Sequence, residues 1–252
     1  MSQKPEQPTI REAGNHTPWE PGYHPPRQIL IIYYSRFGVI KHLAELIAEG
    51  AQRVEGIQTR FLEAPERPVE ELRPGETEAE MASRRAVFVN QISSADALIV
   101  GSPAYFGSMA SPVKRLFEDC VTASHPPVTD RTRPWRHYLF RDKVGAAFTS
   151  SGTPHGGNEL ALHSILTMLM HLGMLVVTPG QQEPILENVA APYGATAIAG
   201  PEGNWPLTEE AQQAAREQGQ RVAEVTTWLA WGRDEWERQR SAAEWQRQMA
   251  GQ

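Results

Sequence analysis

The chain has 252 residues, 40% hydrophobic and 21% charged, with a formal charge of −6 and a pI near 5.8. These proportions fit one globular domain with appendages and exclude collagen, fibre and wholesale disorder, and an acidic balance without any basic run argues against a nucleic-acid partner. A single cysteine, Cys120, excludes an internal disulfide framework; with no signal-like apolar core at the N-terminus and no membrane-spanning stretch, the chain reads as a cytoplasmic protein with a small ligand.

Residues 1–27 are rich in proline and acids and read as an extended arm. "QILIIYY" follows, a continuous β-branched and aromatic run of the kind found in a strand covered on both faces. "VIKHLAELIAEGAQRV" places Ile40, Leu43, Ala44, Ile47, Ala51 and Val54 at the three-and-four spacing of an amphipathic helix. "GIQTRFLE" predicts a second strand, and a Glu-, Pro- and Arg-rich excursion leads into a helix near 79–91. "ADALIVGS" is the third strand. "SPVKRLFEDC" is a helix with Ser111 as its N-cap and Pro112 at its first position. "DKVGAAFTSSG" gives the fourth strand.

"NELALHSILTMLMHLGMLVV" predicts a nearly all-apolar helix closed by Gly173, then a fifth strand over 174–178. A long loop rejoins the sheet at "ATAIA", and Thr208 caps a final helix whose buried stripe runs from Ala211 to Leu229. Beyond Gly232 the residues predict a separate helix over 232–252, with Asp234 and Glu237 able to form a capping box. Trp228, Trp231, Trp236 and Trp245 gather there, as either an oligomer contact or a helix folded back on its own domain. The alternation implies an α/β fold: a doubly wound, five-stranded parallel sheet in the order 2-1-3-4-5 with helices on both faces.

In such a sheet the loops after successive strands share one edge, and three of them are rich in small and hydroxyl residues. The turn after strand one, Ser35, Arg36, Phe37, Gly38, Val39 and Ile40, aims backbone N–H groups at an anion. No Gly-Lys-Ser/Thr or G-x-G-x-x-G follows that strand, no arginine stands at the phosphatase spacing after Cys120, and no acidic cluster adjoins the turn. A mononucleotide phosphate remains. Pro103, Ala104, Tyr105, Phe106 and Gly107 offer apolar walls. Ser150, Ser151, Gly152, Thr153, Pro154, His155, Gly156 and Gly157 allow close backbone approach. A phosphate seat beside a planar slot points to FMN. No histidine pair stands at ligand spacing with a carboxylate, so no metal is expected.

"YYSRFGVIKHLAELIAEGA", "ALIVGSPAYFGSMASPVKRLFED", "DKVGAAFTSSGTPHGGNE", "HLGMLVV" and "APYGATAIAGPEG" resemble, in order, the WrbA-type NAD(P)H:quinone oxidoreductases, flavodoxin-like FMN enzymes. The resemblance covers about 28–231 and leaves out the arm and the tail (232–252). It implies an FMN-binding domain that takes two electrons from NADH or NADPH to a quinone by a ping-pong scheme. The three loops would hold FMN, His171 would be the flavin-side catalytic histidine, and Phe37 and Trp135 would contact substrates. It also implies a homo-oligomer, dimer or tetramer. Phe37 stands where members often carry tyrosine, and Tyr105 where many carry arginine. The other reading is a one-electron carrier of flavodoxin type, although such carriers are strongly acidic around the flavin and these loops are nearly free of acids.

Overall fold

The structure, a computed structural model, describes residues 25–122, 139–181 and 191–250, with side chains as far as Ala242. Strand β1 (Arg27–Tyr33) pairs in parallel with β2 (Ile57–Glu63) on one side and β3 (Ala97–Tyr105) on the other. Beyond β3 lies β5 (Val144–Ser151), again parallel, while the two-residue β4 (Ser108–Met109) folds back on β3 as a hairpin. The fifth position is shared. Strand β6 (Leu175–Val176) pairs with the start of β5 and β7 (Thr196–Ile198) with its end. With the hairpin strand counted, the path β2-β1-β3-β5-β6 is the predicted order.

The predicted fifth strand over 174–178 is therefore cut short. The Val177 N–H still donates to the Gly145 carbonyl, but Pro179 has no N–H to give, and Gly180 at φ 73° turns the chain away. Sheet pairing resumes at β7.

Alternation along β1 sends Ile29, Ile31 and Tyr33 to one face and Leu30 and Ile32 to the other, and both sets are buried. The first face meets α1 (Val39–Ala51) and α5 (Glu209–Ala250) through Leu43, Ile47 and Val222. The second meets α2 (Glu78–Ser94), α3 (Ser111–Phe117) and α4 (Asn158–His171) through Ile92, Val113, Leu116, Leu162 and Ile165. Helix α3 starts one residue away from the predicted cap. Ala110 occupies the N-cap, its N–H held by Ser102 Oγ at 2.7 Å, and Ser111 is already helical.

Helix α5 differs most from expectation. No separate tail helix exists: 42 residues run without a break through Gly232. An interior glycine costs about 1 kcal/mol, too little to stop a helix with good formers on both sides. Asp234 caps nothing and instead pairs with Arg27 at the start of β1. Buried Gln218 ties α5 to the sheet, donating to the Ala147 carbonyl at 2.8 Å and accepting from the Ala195 N–H at 2.7 Å. The helix begins beside Ile198, at the carboxyl edge of the sheet, and reaches the opposite edge at Asp234.

Helices α1 and α5 cross at two glycines. A Cβ on Gly50 would overlap the Arg216 carbonyl, and one on Gly219 the Ile47 carbonyl. Added atoms meet backbone there, so overpacking costs of about 1–3 kcal/mol apply at full strength. Gly219→Ala is expected to lower the unfolding free energy by roughly that amount in urea titration, and Gly219→Val by more. Cys120 is buried, and that burial pushes its thiol up to about 12. The folded protein should leave an aromatic disulfide reagent unreacted at pH 8, and guanidinium should release one titratable thiol.

Candidate active site

Strand β1 delivers the first loop. Ser35 Oγ sits inside it, accepting from the N–H groups of Gly38 at 3.1 Å and Lys41 at 3.2 Å. Gly38, at φ 94°, is the N-cap of α1 and brings no side-chain cap. The first N–H groups of a helix have no partner within it. With Lys41 satisfied by Ser35, and His42 by the Gly38 carbonyl, those of Val39 and Ile40 face outward with no acceptor among the described residues. The first turn of α1 carries no acid, and the Arg36 guanidinium lies 5.6 Å from the centre of the Phe37 ring.

The second loop is a hairpin rather than an open loop. Tyr105 pairs with Ser108, leaving Phe106 and Gly107 at the turn with φ of 52° and 72°. Positive φ suits glycine and not phenylalanine, so the turn holds Phe106 at a cost of about 1 kcal/mol or more, fully exposed. Three polar contacts set the hairpin on the scaffold. Ser102 Oγ takes the Ala110 N–H, the Ser102 carbonyl takes Thr149 Oγ1–H at 2.6 Å, and Ser164 Oγ takes the Met109 N–H at 3.0 Å.

The third loop leaves β5 from buried Ser150 and Ser151. Ser151 Oγ donates to the Thr153 carbonyl at 2.7 Å, and that carbonyl also accepts the Gly156 N–H, closing a tight turn before α4. The second and third loops touch through bare backbone, since a Cβ on Gly157 would lie 2.9 Å from Gly107 Cα. Pro103 faces Ser150 across the β3–β5 pairing, so all three loops share the carboxyl edge as the sequence implied.

A fourth segment, part of the family resemblance, was not read as a neighbour of the first loop. Residues 199–205 form a double turn, with Gly203 N–H on the Gly200 carbonyl and Trp205 N–H on the Ala199 carbonyl. It meets the first loop. A Cβ on Gly203 would lie 2.6 Å from the Phe37 ring. Gly200 and Gly203 were the available signal, but nothing local says which loop they face. On the far side of the third loop lies a cavity of ≈ 930 Å³ bordered by His155, Leu160, Ile198, Trp205 and Glu210, with no residue from the first two loops.

The remaining sequence candidates separate. His171 is the last residue of the 14-residue α4, which starts beside the third loop. At 1.5 Å per residue it lies about 20 Å away, exposed near the opposite edge of the sheet. Within one chain the structure does not bring His171 to the three loops: the helix that begins at the site carries its own C-terminus away from it. Trp135 lies outside the described residues.

The donor set fits FMN. Outward N–H groups, a nearby guanidinium and an acid-free first turn suit a phosphate dianion, and the glycine contact between the hairpin and the third loop suits a flat ring. Sheet order and edge chemistry together define a flavodoxin-like mononucleotide-binding protein.

Residues 28–182 match the family described as NADPH-dependent FMN reductase. An NAD(P)H dehydrogenase (quinone) of Geotalea uraniireducens is 34% identical over 81% of this chain and 99% of its own, and one of Methylocella silvestris is 35% identical over 79% and 96%. Among solved structures, a WrbA-like flavodoxin protein of Agrobacterium tumefaciens superposes with a TM-score of 0.53 at 22% identity over 81% of this chain and 99% of its own. The NADH:FMN oxidoreductase EmoB gives a TM-score of 0.52 at 16% identity over 79% and 89%. The chain belongs to the NADPH-dependent FMN reductase family, and about four-fifths of it aligns with NAD(P)H dehydrogenases (quinone).

Ser102 holds the site together through a buried backbone donor. Ser102→Ala leaves the Ala110 N–H without its acceptor, a loss of about 1–3 kcal/mol. Thermal unfolding should register that loss, and amide exchange at Ala110 should rise with it.

Proposed function

We propose that the chain is an FMN-dependent oxidoreductase that carries two electrons from NADH or NADPH to quinones in two successive half-reactions, acting in the cytoplasm. The observation that carries this reading is the pairing of an acid-free phosphate turn with a glycine-tight slot on one sheet edge, in a chain whose curated relatives are named NAD(P)H dehydrogenase (quinone). When bound, FMN would supply the redox chemistry, as a two-electron carrier between the nicotinamide and the quinone.

The chain's own residues bind and orient. The N–H groups of Val39 and Ile40 hold the phosphate, Arg36 adds charge, and Ser35 keeps the turn in shape from behind. Pro103, Ala104 and Tyr105 wall the ring on one side, and the backbone from Ser150 to Gly157 closes the other. Phe37, 61% exposed, offers a face to a planar substrate, and the ≈ 930 Å³ cavity beside His155 and Trp205 is of ligand size. Because His171 lies far from the loops of its own chain, it can serve only the site of a neighbouring copy. That role therefore goes with a homo-oligomer, dimer or tetramer.

Purified protein should show a flavin spectrum that NADH or NADPH bleaches without oxygen and that benzoquinone, added afterwards, restores. Initial rates against both substrates should give parallel lines; intersecting lines would overturn the two-step order. A flavin that neither nicotinamide reduces would mark a one-electron carrier instead. Ser35→Ala is expected to weaken FMN binding about tenfold, which is about 1.4 kcal/mol, and to leave quinone specificity as it was.

A further inference from the structure

The start of β1 and the far half of α5 meet. Arg27 opens β1, and its guanidinium pairs with Asp234 of α5 and, at 3.6 Å, with Asp96. Since α5 runs against β1, the chain preceding Arg27 leaves the sheet in the direction in which α5 continues past Asp234. Both extensions lie outside the family resemblance. The quinone dehydrogenase relatives are matched over nearly their whole length, yet cover about four-fifths of this chain.

One stripe of α5 continues past the core, with Trp231 on it 45% exposed. Thr227 and Ala230 are buried against the domain, and Trp231, Asp234 and Arg238 follow on the same face at spacings of three and four. Asp234 and Arg238 are half-buried, while Glu235, Trp236 and Glu237 around them are exposed. Arg238 stands two turns past Ala230; its Nη2 pairs with Glu235 at 2.9 Å, while its Nε is shielded from solvent with no acceptor among the described residues. The Nε of Arg27 is in the same condition. Each of these N–H groups is open to a further acceptor at this spot.

Residues 1–24 have the chemistry to supply it. Pro18, Pro21, Pro25 and Pro26 precede Arg27, with Trp19 and Glu20 among them. A proline-rich segment favours the polyproline II conformation, whose carbonyls have no internal partners, and such segments bind aromatic surfaces at low entropic cost. At about 3.1 Å per residue, the nine residues from Pro18 to Pro26 span about 28 Å. Asp234 and Arg238 are only about 6 Å apart along the helix. The arm reaches the whole stripe.

We propose that residues 1–24 dock on α5 of their own chain along the stripe from Trp231 to Arg238, their carbonyl or Glu20 oxygens accepting from Arg238 Nε. The two extensions thus form one accessory module on a flavodoxin-like body.

The full chain lends itself to a direct test, because buried Cys120 does not compete for thiol reagents. Ser241→Cys, exposed and three residues beyond Arg238, takes a benzophenone maleimide. An equal mixture of unlabelled and nitrogen-15-labelled protein is then illuminated and digested for mass spectrometry. Crosslinks to residues 1–24 within one isotopic species are expected. Crosslinks to the arm or to α5 of the other species would overturn the proposal in favour of a second copy, and absence of arm crosslinks would overturn it outright. Independently, Arg238→Ala should speed amide exchange across residues 9–24 at least tenfold and leave the amides of β1, β3 and β5 unchanged. An unchanged arm rate would also overturn the proposal.

Discussion

Parallel pairing of β1, β3 and β5 is the constraint from which the site follows. Each strand must be re-entered from the far edge, so each ends beside its neighbours and releases its loop at the same place. Register keeps those releases level: Tyr33 faces Gly101, and Pro103 faces Ser150. The cost is a sheet buried on both sides, which explains the unbroken apolar runs and the small residues where rings cross. Gly101 is one of these, since any Cβ there would run into the ring of Phe148.

Much of this arrangement was legible in the residues. Runs such as "QILIIYY" announce a doubly covered strand, and the helical spacing from Ile40 to Ala51 marks the buried face of α1. What escaped reading depended on partners distant in the chain. Strands β6 and β7 fall where 174–178 and "ATAIA" were expected to pair, but they are only two and three residues long and share the open side of β5, which no local period shows. The hairpin at Phe106 escaped because its turn carries phenylalanine where asparagine or aspartate usually stands. Helix α5 misled for the opposite reason. Gly232 and Asp234 look like a stop and a fresh cap, yet Asp234 is engaged by Arg27, 207 positions earlier. Where His171 sits relative to the loops of its own chain follows from length alone, because 14 helical residues carry a side chain across the domain.

Polar groups at the ligand edge divide into those already spent and those left open. Ser35, Ser102, Ser151 and Ser164 use their hydroxyls to hold backbone in place. The groups left facing outward are main-chain N–H donors on α1 and apolar surfaces on the hairpin. A site built in this way recognises shape and negative charge, while its serines keep the frame rigid.

Helix α5 is a single body from the carboxyl edge of the sheet to Ala250. About 16 of its residues, roughly 24 Å, extend past Asp234. A flexible tail would let anything attached at the C-terminus tumble independently. A continuous helix instead fixes the direction of that end against the flavin edge, as a lever is fixed to its fulcrum, so a reporter placed there would turn with the domain.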